Sequence, residues 1–187
     1  ARQVFDLCSG FVYSQILLAC VELNILEILR AGPQTAAAIA ARTGLEFTAA
    51  ERLLNAAASL KLVSRRAGAR YGLGMRGAAV AGNPGLIEMI KHHRMFYADM
   101  RDPVSLLKGE LSDTELKHYW AYARRGAEDL EVKDVAAYST LMSKSQTLVG
   151  DMLLDLYSLE KHRVLLDIGG GDGEFIIRAA ARHPQPD

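Results

Sequence analysis

The stretch that decides the fold of this chain reads Val164-Leu165-Leu166-Asp167-Ile168-Gly169-Gly170-Gly171-Asp172-Gly173-Glu174. Its first residues are apolar without alternation, which is typical of a parallel strand covered on both faces. The glycines mark a tight turn, and the apolar residues after Glu174 predict a helix that packs on the strand. A glycine-rich turn between a buried strand and a helix N-terminus predicts a binding site for a nucleotide-type cofactor.

The spacing of the glycines narrows the class of cofactor. A dinucleotide fingerprint that starts at Gly169 would need a glycine where Glu174 stands, and a P-loop would need a lysine and a hydroxyl that are missing. The stretch instead resembles the D-x-G-x-G-x-G pattern of class I S-adenosylmethionine methyltransferases. Its acid, Asp167, would accept hydrogen bonds from the ammonium group of S-adenosyl-L-methionine. The residues that this resemblance assigns to the cofactor are Asp167, Gly169, Gly170, Gly171 and Gly173. The alternative is a tight turn whose glycines only allow close packing.

The composition is that of an ordinary globular protein. The 187 residues are 50% hydrophobic, and 22 basic residues balance 22 acidic ones. A net charge of zero gives no global electrostatic argument for nucleic acid or an acidic partner. Cys8 and Cys20 are expected to be reduced thiols, and the N-terminal residues show neither a signal core nor a membrane span. These features together predict a cytoplasmic location.

Residues 4–30 are apolar on nearly every face of a predicted helix. A helix of this kind must be buried, and a small N-terminal domain offers too little surface to cover it. We therefore predict that this segment packs against a partner subunit. The alternative is burial within the same chain.

Residues 35–73 predict a helix-turn-helix followed by a hairpin, which is a winged-helix-like module. Thr35 is expected to cap the first helix, Gly44 to end it, and Thr48 with Glu51 to form a capping box for the second. In and just after this segment, seven basic residues stand against two acidic ones, as in DNA-binding modules. The second helix offers few side chains that read bases, so we predict a scaffold and no nucleic-acid partner.

The rest of the chain up to the glycine-rich stretch has a helical pattern. Asn83 and Pro84 are expected to start one helix, and Ser112 with Glu115 to cap another. The predicted fold class is therefore mainly α, ending in the start of a Rossmann-like sheet. We predict three parts: a dimerisation and winged-helix-like domain (1–105), a helical connector with substrate-pocket helices (106–160), and the first strand and helix of a class I α/β methyltransferase domain (161–187).

The histidines do not indicate a metal site. His92 and His93 are adjacent and would point about 100° apart on a helix, so they cannot hold one ion together. The other histidines are isolated in the sequence. We predict no metal site, and we assign no general base among these residues.

Two further stretches, Phe5–Gln15 and Tyr138–Gln146, extend the resemblance over the whole chain. With the helical front, the module and the glycine-rich stretch, they resemble small-molecule O-methyltransferases of the caffeate and acetylserotonin type. Within that group, the chain is most similar to the hydroxyneurosporene (demethylspheroidene) O-methyltransferases of bacterial carotenoid synthesis. The resemblance implies methyl transfer to a hydroxyl of a hydrophobic small molecule, a hydroxylated carotenoid, by a homodimer joined through residues 4–30.

The resemblance also implies roles for individual residues. Ser145 would contact the tail of the cofactor. The residues expected to line the substrate pocket are Tyr138, Met142, Trp120, Phe96 and His93. The ribose-binding acid and the general base of the family would lie beyond Asp187, so residues 1–187 alone are expected to be inactive.

Two alternatives to carotenoid O-methylation remain open for the function. One is a methyltransferase for another phenolic, polyketide or tetrapyrrole substrate. The other is a winged-helix DNA-binding regulator that senses S-adenosylmethionine. A lipophilic substrate would bring a cytoplasmic protein at most to the periphery of the inner membrane.

Overall fold

The computed structural model describes residues 1–119, 147, 149–170 and 173–182. The chain divides into two compact units, Ala1–Lys91 and His92–Asp187. The described residues are mainly helical, as the sequence predicts. The predicted three-part division of the chain stays a prediction.

The first unit combines helices with one small antiparallel sheet. Its helices are α1 (Arg2–Glu22), α2 (Ile25–Arg30), α3 (Ala36–Thr43), α4 (Phe47–Ser59) and α5 (Met75–Ala81), and α6 (Pro84–Asp99) begins in it. Its strands are β1 (Gln34–Thr35), β2 (Val63–Arg66) and β3 (Arg70–Leu73). They lie in the order β1-β3-β2, with Gln34 opposite Tyr71 and Val63 opposite Leu73. This element order agrees with the predicted helix-turn-helix and hairpin.

The N-terminal apolar segment forms two helices rather than one. Asn24 adopts a left-handed conformation (φ 55°) and separates α1 from α2. The second half of the segment is buried within the chain, in contact with α4 and the neighbouring helices. The first half is exposed, with Leu7 at 80% and Phe11 at 63% exposure. The alternative, burial within the same chain, therefore holds for the second half of the segment. Burial of the first half against a partner subunit stays a prediction, because no described residue of the chain covers it.

Helix α1 is also long and apolar enough, by length and composition, to cross a membrane. Gln3–Glu22 has a mean hydropathy of 1.7, and only 17% of its most apolar window is buried. The buried core helix of a soluble protein passes the same test, so the result by itself does not identify a span.

Two of the predicted helix signals in the module are confirmed, and one is wrong. Thr35 Oγ1 accepts a hydrogen bond from Ala38 N (3.2 Å), and Gly44 ends α3 with φ 72°. The Thr48 capping box does not form, because α4 begins earlier, with Glu46 at its N-cap and no side-chain capping bond.

A well-packed core holds the module together. Its largest fully buried side chains are Ile25, Ile39, Leu54, Val63 and Cys20. Burial raises the pKa of the Cys20 thiol to about 12, which keeps it protonated and inert. Close backbone contact joins α5 to the chain before β2, since a Cβ on Gly77 would lie 1.9 Å from Leu62 O.

The described residues of the second unit form the rest of α6 and four short helical segments. These are α7 (Pro103–Leu107), α8 (Glu115–Tyr119), α9 (149–156) and α10 (Glu174–Arg182). The predicted Asn83 cap of α6 is confirmed, since Asn83 Oδ1 accepts from Leu86 N at 3.0 Å.

The predicted Ser112 cap is wrong. Helix α8 starts at Glu115, and Thr114 Oγ1 accepts from Lys117 N at 3.1 Å. The carboxylate of Asp99, at the end of α6, accepts from Glu115 N (2.8 Å) and Leu116 N (2.9 Å). A distant acid therefore takes the place of the local capping box, which leaves Ser112 outside the helix.

Candidate cofactor site

The stretch before the glycines does not form the predicted strand. Residues 164–168 have no strand assignment, and Val164, Leu166 and Ile168 are 86%, 77% and 88% exposed. A parallel strand needs neighbours for its N–H and C=O groups. All strands among the described residues belong to the first unit, so the described part of the second unit offers this stretch no partner.

The described residues on both sides of the glycine-rich turn have the backbone geometry that glycine allows. Gly169 and Gly173 adopt φ angles of 76° and 78°, a region that disfavours residues with a Cβ. Gly173 N donates to Gly170 O (2.9 Å), and Ile177 N donates to Gly173 O (3.0 Å). The turn thus leads directly into α10, whose first N–H groups lie next to it in the chain.

Asp167 lies over the turn. An ideal Cβ on Gly170 would be only 2.1 Å from Asp167 Oδ2, so glycine is needed there for the carboxylate to stay in place. Asp167 Oδ2 is itself buried, and it has no hydrogen-bond partner among the described residues. A buried carboxylate oxygen without a donor is costly, and a ligand N–H would remove that cost. This acceptor therefore fits the ammonium end of S-adenosylmethionine, which carries N–H donors.

Ion pairs fix the helix that follows the turn. Arg178 donates to Glu174 Oε1 (2.7 Å) within α10 and to Asp151 Oδ2 (3.0 Å) in α9. Arg182 pairs with Asp151 (3.2 Å) and with Asp155. The hydrogen bond with Glu174, followed by the nearby Asp151, raises the pKa of the Arg178 guanidinium further above its ordinary value.

This ion-pair network was not predicted from the sequence, in which Glu174 was considered only as the residue that excludes the dinucleotide fingerprint. Its spacing of four residues from Arg178 is the usual spacing of a helical ion pair and was the available signal. In the structure, Glu174 helps to hold the helix that begins at the turn.

Two of the predicted substrate residues lie in an aromatic cluster on α6. The rings of His93 and Phe96 are stacked with centroids 5.5 Å apart. His92 is more deeply buried, and its ring meets that of Tyr119 at 4.8 Å. Burial, and then the neighbouring His93, lower the pKa of His92 below its ordinary value of 6.5. Sequence reasoning selected His93 and missed His92, because helical periodicity alone does not show which of two adjacent histidines is enclosed.

The remaining predicted site residues lie outside the described part of the chain. These are Gly171, Ser145, Tyr138, Met142 and Trp120. The structure therefore brings together Asp167, Gly169, Gly170 and Gly173 and, separately, His93 and Phe96. Within the described ranges, no group of three His, Cys, Asp or Glu residues could hold a metal ion.

Comparisons with known proteins match nearly all of the chain. The family model of the O-methyltransferase dimerisation domain matches residues 5–80, and that of the O-methyltransferase domain matches residues 97–187. The demethylspheroidene O-methyltransferase of Cereibacter sphaeroides is 44% identical over 98% of this chain and 48% of its own length. The enzyme of the same name from Rhodobacter capsulatus is 40% identical over 97% of this chain and 46% of its own length.

A solved structure gives the same picture of the fold. Human N-acetylserotonin methyltransferase, crystallised in complex with SAM, matches with a TM-score of 0.72 and 24% identity. The match covers 98% of this chain and 56% of the human one. The chain thus spans about half the length of the proteins that it matches.

Proposed function

This chain belongs to the O-methyltransferase family that carries a dimerisation domain before its catalytic domain, and from that premise we propose that it serves S-adenosylmethionine-dependent O-methylation. Its glycine-rich turn would hold the amino-acid end of the methyl donor. The acceptor would be a hydroxyl of a hydrophobic small molecule, and the names of the two bacterial relatives favour a hydroxylated carotenoid.

The observation on which this proposal depends is the buried oxygen of Asp167. It lies over a turn in which two glycines have positive φ and a third has no room for a Cβ. A turn that served only packing would have no need for a carboxylate without a donor at its centre. An ammonium group would donate a charge-assisted hydrogen bond to that oxygen.

The chemistry divides between the cofactor and the chain. S-adenosylmethionine, when bound, supplies an electrophilic methyl group on its sulfonium. Asp167 would fix the amino-acid end, and the glycines would let it approach the backbone. The ion pairs of Arg178 hold Glu174 at the start of α10, which would keep the first N–H groups of this helix in place next to the turn. The contribution of these residues is therefore orientation of the methyl donor.

The acceptor can be identified with a methyl-transfer assay. The full-length protein is given S-adenosylmethionine with a labelled methyl group and a panel of hydroxylated carotenoids, phenols and tetrapyrroles, each solubilised in detergent. We expect label on the carotenoid alcohol and the loss of this product when Asp167 is replaced by alanine. Label on a phenol or a tetrapyrrole alone would assign the chain to the alternative substrate class.

We further propose that the protein is a homodimer joined through the exposed half of α1. The match to a dimerisation domain begins at residue 5 and includes this helix. Its exposed apolar side chains, too many to leave in water, are Val4, Phe5, Leu7, Phe11 and Val12.

The dimer can be tested without disturbing the core. Leu7→Asp with Phe11→Asp changes two exposed side chains, and we expect a monomer by light scattering with an unchanged circular dichroism spectrum. Val104→Asp with Leu107→Asp, a matched pair of exposed residues in α7, should leave the dimer intact. A dimer that survives the first pair of substitutions would place the interface elsewhere.

The DNA-binding alternative is not favoured by the contacts of α4. Asn55, the side chain there best suited to reading a base, accepts hydrogen bonds from Arg65 (3.0 Å) and Tyr71 (2.9 Å). It serves the module itself, which supports a scaffold. For the location of the protein we propose the cytoplasm, with contact to the inner membrane restricted to its surface.

A further inference from the structure

The hairpin of β2 and β3 presents three arginines without acidic partners. Arg65, Arg66 and Arg70 are exposed, and Arg66 lies directly opposite Arg70 in the ladder. Like charges in that position destabilise a hairpin unless an anion lies near them. None of the three forms an ion pair with a described residue, whereas both arginines of α10 do.

Exposed apolar side chains flank these arginines. Phe47 is 49% exposed and lines a cavity of about 260 Å³ together with all three arginines. Met75 is 75% exposed and lines a neighbouring depression with Arg65. We call these five residues the arginine-hairpin surface. Glu51 also lines the cavity, so the cavity has three guanidinium groups and one carboxylate around it.

One arginine of this surface and the hairpin itself are attached to α4. Asn55 Oδ1 accepts from Arg65 Nη2 (3.0 Å) and from the hydroxyl of Tyr71 (2.9 Å), which attaches the hairpin to α4. The turn between the strands contains Gly68 and Ala69, both with positive φ. Arg65 and the hairpin are thus held on α4 before any partner binds, which lowers the entropy that this part of the surface loses on docking.

We infer that the arginine-hairpin surface docks the protein on a bilayer of anionic phospholipid. Arginines near such a surface are attracted by its negative potential, while an aromatic ring and a thioether can enter the boundary between headgroups and acyl chains. A small anion would use the arginines but would give no reason for the exposure of Phe47 and Met75. Nucleic acid is disfavoured because Asn55 is already engaged.

This inference rests on the proposed function in one respect. A hydroxylated carotenoid partitions into lipid, so an enzyme for it must work at the bilayer surface. These 187 residues carry no net charge, so attraction of this part of the protein to anionic lipid must come from a local surface.

The test uses sedimentation of the full-length protein with vesicles of phosphatidylcholine, alone or mixed with phosphatidylglycerol. We expect binding only to the mixed vesicles and release by salt. Arg66→Gln with Arg70→Gln removes two charges and should weaken partitioning by about thirtyfold, at the usual contribution of one basic residue near a charged bilayer. Arg101→Gln with Lys108→Gln removes two charges from exposed positions in the second unit and should have little effect.

A second variant tests the apolar part of the surface. Phe47→Ser with Met75→Ser keeps every charge and should also weaken binding, but it should leave the dependence of binding on salt unchanged, because the arginines still attract the bilayer. Equal binding to both kinds of vesicle, or unchanged binding by the arginine variant, would overturn the inference. If free glycerol phosphate displaces the protein from the vesicles, the surface is a small-anion site. If the unaltered protein binds duplex DNA but no vesicles, and the arginine variant loses that DNA binding, the surface binds nucleic acid.

Methyl transfer in detergent separates this inference from the proposed function. The arginine variant should methylate a solubilised carotenoid at the unaltered rate while losing activity toward the same acceptor in anionic vesicles. If the unaltered protein transfers no methyl group in detergent, the proposed function is refuted. The sedimentation with vesicles would still decide whether the arginine-hairpin surface binds anionic lipid.

Discussion

Gly170→Ala tests the cofactor site by moving one side chain. The new Cβ would lie 2.1 Å from Asp167 Oδ2, whereas ordinary contacts begin at 3.4 Å, so the carboxylate must retreat by about 1.3 Å. Gly170 is not among the residues with positive φ, and alanine is therefore tolerated by the backbone. The clash is with the far end of a flexible side chain, so we expect little loss of folding stability.

The cost should appear in cofactor binding. A hydrogen bond to a charged group contributes about 1.5–3 kcal/mol, which corresponds to about a 10- to 150-fold change in affinity. Gly170→Ala displaces the acceptor and Asp167→Ala removes it, so each should weaken binding of S-adenosylhomocysteine within this range. Because both changes act on the same hydrogen bond, the double variant should be hardly weaker than either single one.

Calorimetric titration of the full-length protein with S-adenosylhomocysteine measures all four affinities of this cycle. Gly82→Ala is a suitable control, since its Cβ would meet only Ala78 O, at an ordinary contact distance of 3.4 Å. Additive losses would mean that Gly170 and Asp167 do not act through one contact. Unchanged affinity in Asp167→Ala would refute the assignment of the turn to the cofactor.

Three further predictions concern stability. Gly77→Ala should lower the free energy of unfolding by about 1–3 kcal/mol in urea denaturation, because its Cβ would overlap Leu62 O. The control Gly82→Ala should change the free energy of unfolding by less than about 0.5 kcal/mol. Equal urea midpoints for the two variants would refute the described packing of α5. The lowered pKa of His92 means that the folded state favours the neutral imidazole. The contribution of His92 to stability is therefore complete above pH 6.5 and is lost as the pH falls through the folded-state pKa. In thermal melts, His92→Gln should reduce the loss of stability at acid pH. Asp99→Ala should cost about 1–3 kcal/mol, since two backbone N–H groups lose their acceptor, and retention of full stability would show that water replaces it.

The sequence predicted those features that short-range contacts decide. Thr35, Gly44 and Asn83 cap or end their helices as expected, because each acts on backbone groups within a few residues of itself. The hairpin was found for the same reason, since its turn and its alternating strands are adjacent in the chain.

The errors arise where a distant residue competes with a local signal. The Ser112 capping box had a suitable sequence, but Asp99, sixteen residues from Glu115, takes the N–H groups that begin α8. The same limit applies to the ion pairs of Arg178, since Asp151 is 27 residues away and only the fold brings it near. Local sequence signals do not show a hydrogen-bond partner that becomes close only after the chain has folded.

The motif at residues 164–173 shows both effects, since its turn depends on short-range contacts and its predicted strand depends on distant ones. The turn has its glycine conformations and its hydrogen bond from Gly173 N to Gly170 O although no strand forms before it. Asp167 lies over Gly170 under the same conditions. The backbone conformations of Gly169 and Gly173 are therefore decided locally, while burial of Val164 and its apolar neighbours requires strands from elsewhere in a sheet. It follows that substitutions in the turn should act on cofactor affinity directly, whereas substitutions at 164–166 should act through the stability of the sheet.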